Sequence, residues 1–161
     1  MNAPIFGIDQ SKFKHLGMMD PQNRHTLEAF DSAQLSTEER LFFRLLSSSL
    51  LRTGLFDLGS KLATAGEHTD LAHVIVTGQV VASNAKGQVL MGPGSVIGLA
   101  EGLAQVPSSW DVVAQTTVNT RIIPIARALR EIQGANAGLR GVCRITVLRI
   151  LGLKHVPESL K

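Results

Sequence analysis

"LGSKLATAGEHTDLAHVIVTGQV", residues 58–80, sets the grammar of the chain. Gly59, Gly66 and Gly78 punctuate short runs of valine, isoleucine and threonine, residues that suit a pleated, half-buried surface. "AHVIVTGQVVAS" reads as two strands around Thr77–Gly78, with Val74, Val76, Val80 and Ala82 on one side of a pleat. Downstream, "NAKG" (84–87) is a tight hairpin connection and "GPGS" (92–95) a second turn. "DVVAQTTVNTRIIPI" supplies two more strands, Asp111–Thr116 and Thr120–Pro124. Strands this short and this regularly spaced, about six to eight of them, predict an antiparallel sandwich or barrel.

Helical grammar flanks this β region. Upstream, Asp20 and Pro21 open a helix running to about Phe30. Ser36 and Glu39 then form a capping box ahead of Leu41, Phe42, Leu45, Leu46 and Leu50 at helical spacing. Past Ile125, "ARALREIQ" is helical, "GANAG" breaks it, and "LRGVCRITVLRILGL" resumes with a stripe of Leu139, Val142, Cys143, Ile145, Leu148 and Leu151. The expected organisation is therefore a tail over 1–19, helices over 20–53, a β unit over 54–125, helices over 126–154 and a tail over 155–161. The last stripe suits docking on the β unit or a homodimer seam.

Composition limits the function classes. A hydrophobic share of 44% and a charged share of 18% belong to a globular chain. No apolar run reaches the roughly 18–20 residues of a membrane span, and the N-terminus lacks a signal-peptide pattern. A single cysteine, Cys143, forms no internal disulfide, which fits a reducing cytoplasm; its apolar surroundings predict a buried structural thiol. The net charge is only +3, though Arg121, Arg127, Arg130, Arg140, Arg144, Arg149 and Lys154 crowd the last third. Such a gradient suits an anionic ligand or nucleic acid, and a solvated helix face explains it equally well, the excess being too small to point to nucleic acid. His68 and His73 lack the partners of a metal site, Asp111 lacks a partner base or nucleophile, and no nucleophile elbow or phosphate loop of the usual spacing occurs. The expectation is no enzyme, no metal and no cofactor.

The order of helices, β unit and helices, with the ordered glycines of residues 58–80, resembles the cyclic nucleotide-binding domain. That module serves the catabolite activator protein family, cyclic-nucleotide-dependent kinases and gated channels. The match covers about residues 55–153. "GPGSVIG" is similar to the turn before the family's phosphate cassette, and "NAGLR" to the "NP-x-L" ahead of its last helix. The resemblance implies an eight-stranded antiparallel jelly-roll barrel that binds cAMP or cGMP as a regulatory module and shifts its C-terminal helix. It places the cyclic phosphate on Gly98 and on the amides of Leu99 and Ala100. Two family side chains are replaced: Leu99 stands where a glutamate normally holds the ribose hydroxyl, and Ser108 where an arginine normally pairs with the phosphate. Glu101, Ser108 and Ser109 are the side chains expected to assist instead. Trp110 is expected in the core or at the lip of the pocket. No room follows Leu153 for the family's helix-turn-helix, so DNA is not an expected partner and a protein is. The competing expectation is a degenerate, non-binding domain acting as a scaffold for a protein partner or for dimerisation.

Overall fold

A computed structural model describes residues 52–161; the helices expected at Pro21–Phe30 and after Ser36 lie outside the described residues. Eight strands and three helices follow in order: β1 Arg52–Phe56, β2 Lys61–Ala63, β3 Leu71–Thr77, β4 Val80–Asn84, β5 Gly87–Met91, β6 Val96–Ile97, α1 Leu99–Ala104, β7 Asp111–Ala114, β8 Val118–Pro124, α2 Ile125–Gly134 and α3 Ala137–Leu151. A single 3-10 turn, Glu158–Leu160, closes the chain's described part. β1 begins two residues ahead of the boundary expected at residue 54, because Arg52 and Thr53 already pair with Ile122 and Arg121.

The strands form two antiparallel sheets, ordered β1-β8-β3-β6 and β2-β7-β4-β5. That interleaving is the jelly roll, built as two facing sheets with no ladder joining them among the described residues. The "NAKG" turn does join β4 to β5, pairing Asn84 with Gly87, and the Asn84 side chain accepts the Lys86 N–H at 2.8 Å. In "GPGS", Ser95 N–H bonds the Gly92 carbonyl at 3.1 Å.

One reading of the sequence needs correction. Val74, Val76, Val80 and Ala82 do not share a pleat face, because the chain changes sheets between β3 and β4. Val74 joins an apolar cluster with the helices, whereas Val80 and Ala82 join the cluster between the sheets. The corner is Gly78, at φ +91°; a Cβ there would fall 2.3 Å from the Thr117 carbonyl oxygen, so only glycine turns this corner.

Period two along β3 and β8 then sorts the two cores. Ile75 and Val118 point between the sheets with Leu62, Ile97, Val112 and Ala114. Ala72, Val74 and Ile123 point outward, where α1, α2 and α3 cover them with Leu99, Leu103, Ile125, Ala128, Ile132, Cys143 and Val147. Asn136 caps α3 by accepting the Leu139 N–H at 2.9 Å, and Gly152 ends the helix at φ +64°. The cysteine is buried. Ile145, expected in the apolar stripe of α3, is instead 66% exposed. It lies about 200° around the helix from Cys143, whereas Val147, four residues on from Cys143, returns to the buried face. Among the described residues no helix is long and apolar enough to cross a membrane.

Candidate functional site

A small cavity opens beside the N-terminal end of α1. Ala82, Met91, Ile97 and Val112 supply its apolar lining. Gly98, Glu101, Ser108 and Trp110 complete it. The free space is about 10 Å³, room for roughly one water molecule.

Each wall has a local cause. Gly98 precedes α1 at φ +77°, and a Cβ there would come within 3.1 Å of the Leu71 carbonyl oxygen. The six residues of α1 are all buried, which fixes the helix between the β unit and the C-terminal helices. Ser108 is pinned through its backbone: Gly66 N–H donates to the Ser108 carbonyl at 2.8 Å, and Ser108 N–H donates to the Glu67 carbonyl at 2.8 Å. The "GE" turn at residues 66–67 thus has a structural part, holding the Ser108 backbone. The Ser108 hydroxyl donates to the Trp110 carbonyl at 2.8 Å and accepts the Trp110 N–H at 3.2 Å. Its hydrogen-bonding capacity is largely spent on holding the Trp110 backbone.

Glu101 is the one ionisable group in the lining, and it is 5% exposed. Burial pushes its carboxyl above the usual carboxylate range, offset in part by a bond from its own backbone N–H. Of the residues singled out in the sequence, Gly98, Glu101 and Ser108 meet around this cavity. Leu99 and Ala100 do not line it: their side chains are 3% and 5% exposed, and Leu99 packs with the C-terminal helices. Their main-chain N–H groups belong to the first turn of α1, where such groups lack an intrahelical acceptor. Ser109 is exposed and also outside the lining. Sequence reasoning misses Met91 and Ile97, which read as ordinary strand residues. Trp110, half-buried, stands both at the cavity and against the inter-sheet core.

His73, buried in β3, lies away from the cavity lining. Its Nδ1 is 3.3 Å from the Thr120 hydroxyl, and its ring stands edge-on to Phe56 at 5.2 Å. Burial lowers its pKa below the ordinary histidine value. It is a core histidine, not a ligand-facing one.

Neither a protein-family model nor a curated protein matches the chain. Solved structures do match in shape. PKAR CBD2 with Sp-2Cl-cAMPS bound is similar over 93% of this chain and 99% of its own, at 19% identity and a TM-score of 0.54. The cAMP-bound form of the EAL enzyme Bd1971 is similar over 63% of this chain, at 18% identity and a TM-score of 0.55. The Thermus thermophilus Catabolite Activator Protein is similar over 61%, at 18% identity and a TM-score of 0.50. The match spans 29% of the EAL enzyme's chain and 48% of the activator's. The jelly roll with its flanking helices is thus the fold of the cyclic nucleotide-binding domain.

Proposed function

We propose that the chain is a non-catalytic regulatory module that takes a small ligand beside α1 and passes its occupancy to the C-terminal helices. The observation that carries this reading is the double position of α1. Gly98 and Glu101 line the cavity, while Leu99, Leu103 and Ala104 belong to the apolar cluster that also holds Ile132, Cys143 and Val147. Cores pack too densely to absorb a moved helix on one side only, so a shift of α1 changes how α2 and α3 sit. The result is a population change between two packings, with no bond broken.

The ligands of this reading are cAMP and cGMP, which the EAL enzyme holds in separate structures. Main-chain donors at Gly98, Leu99 and Ala100 would face the phosphate, with Glu101, Ser108 and Ser109 around the ribose. Room for a nucleotide, on the order of 300 Å³ or more, requires Trp110 to swing out. Trp110 is the chain's only tryptophan, so its fluorescence reports the event directly. Titration with cAMP and cGMP should change that fluorescence and give calorimetric heat with a Kd in the micromolar range, about −8 kcal/mol. Gly98→Trp should abolish both. Silence at millimolar ligand would sink the reading.

A specific observation favours a second reading, a scaffold for a protein partner or a homodimer. Among the described residues no cation lines the cavity, and its one ionisable group is a carboxylate. A carboxylate repels a phosphate whenever it is ionised, and no cation of the described lining offsets it. In that case the working surface is α3, with Ile145 at its exposed centre. Light scattering should then report a dimer that Ile145→Glu disperses; a wild-type monomer would remove this seam.

A further inference from the structure

The residues after α3 fold back and fasten two helices together. The Ser159 hydroxyl donates to the Leu103 carbonyl of α1 at 2.6 Å. That carbonyl is among the last of its helix, where no intrahelical N–H can reach. From the other side, Arg144 of α3 donates through Nε to the Leu160 carbonyl at 2.8 Å and through Nη2 to the Lys161 carbonyl at 3.0 Å. Leu160, 7% exposed, sits in the same apolar cluster as Leu103, Ala104 and Val147, with Val156 packed against it. Lys161 pairs with Glu158 across the 3-10 turn.

We propose that residues 156–161 are an autoinhibitory strap that holds α1 in the position where the cavity is closed. The proposal rests on the reading of α1 as a relay, and it adds the element that sets the relay's resting state. The fastening is light: one buried leucine, a half-buried valine, one hydroxyl and one guanidinium on main-chain carbonyls. Such a segment belongs to the low-stability end of a fold and opens without global unfolding. When it lifts, the Leu103 carbonyl loses its donor and the cluster behind α1 loses Leu160. Gly98, which caps α1, and Glu101, two residues before Leu103 in the same helix, are then free to move off the cavity. The strap and a ligand compete for one helix position, so each weakens the other's hold by the same factor.

The test uses the full chain, with Ser159→Glu and Leu160→Ala as strap variants. Hydrogen exchange of the α1 amides should quicken tenfold or more in both variants, and acrylamide should quench Trp110 more strongly. Amides of the β4–β5 and β4–β7 ladders should keep their wild-type rates. Unchanged α1 exchange and unchanged quenching would overturn the proposal, as would equal acceleration at every amide, which marks plain destabilisation. Arg144→Lys, which keeps the charge but loses the two-pronged grip, should give the same pattern at smaller amplitude; a wild-type pattern there would count against the grip on Leu160 and Lys161. None of these measurements contains a ligand. A strap that opens in a chain that binds no cyclic nucleotide would therefore leave the strap standing and remove the ligand.

Discussion

Gly98 is the one glycine in the cavity wall, and its backbone conformation is one that other residues rarely adopt. Its φ of +77° lies in the left-handed region, and an added Cβ would press on the Leu71 carbonyl oxygen at 3.1 Å and the Thr69 methyl at 3.2 Å. The left-handed conformation alone costs an ordinary residue about 1–2 kcal/mol. Gly98→Ala should therefore lower stability in urea unfolding by about 1–3 kcal/mol and shift α1 against β3. A stability within about 0.5 kcal/mol of wild type would show that the turn relaxes without strain. The resemblance of "GPGSVIG" to the family's turn singles this position out, and it does line the cavity. The neighbouring side chains are less legible. The family resemblance points only to the amides of Leu99 and Ala100, and a six-residue helix buried on all sides spends their side chains on packing. Glu101 stands out because its register sets it two residues past the usual glutamate, and it does line the cavity. Ser109 stands out because the resemblance puts a small hydroxyl or alanine there, yet it is exposed and outside the cavity lining. The bond pattern that turns Ser108 inward leaves its successor outside.

At the scale of elements, α3 shows what periodicity carries and where it stops. The sequence resumes a helix at Leu139 and carries it to Leu153; the observed helix, Ala137–Leu151, starts two residues earlier behind an Asn136 cap and stops at Gly152. The face it buries is harder to read, since apolar residues surround the helix almost evenly. Cys143 and Val147 are the two that are buried, whereas Ile145 is mostly exposed. Removing atoms should therefore hurt unequally. Val147→Ala opens a gap in the helical cluster and should cost about 1–3 kcal/mol, whereas Ile145→Ala should stay within about 0.5 kcal/mol. Paired urea unfolding curves check this, and equal losses would mean that Ile145 finds a partner in solution. The closing strap is not legible at all. "KHVPESLK" has no period, no capping box and one leucine of consequence. Its place depends on a carbonyl of α1 and a guanidinium of α3, two long-range partners that no local pattern announces. The same holds for the corner at Gly78, where the alternation of β3 and β4 is correct in each strand but the sheet changes between them.

For the molecule as a whole, two buried ionisable groups set opposing responses to pH. Glu101 has a folded-state pKa raised by burial, so the native state holds its proton more tightly than the unfolded chain does. Its contribution is fully present below the unfolded value, about 4.3, and is lost as pH rises through the higher folded value. His73 has a folded-state pKa lowered by burial, so the unfolded chain holds that proton more tightly. Its contribution is fully present above the unfolded value, about 6.5, and is lost as pH falls through the lower folded value. In each case stability changes with pH by the difference in bound protons between the two states. Thermal unfolding between pH 4 and pH 8 should separate them. Glu101→Gln keeps the shape and removes the charge, so it should raise Tm at pH 7 by about 2–4 °C, the effect of about 1 kcal/mol in a domain of this size. That gain should shrink toward pH 4, as the unfolded carboxyl also takes up its proton. His73→Gln cannot titrate, so its deficit against wild type at pH 8 should shrink or reverse by pH 5, while its own profile keeps the slope that Glu101 imposes. A Glu101→Gln gain that persists unchanged at pH 4 would place the carboxylate in water, and with it the cavity wall that the regulatory reading requires.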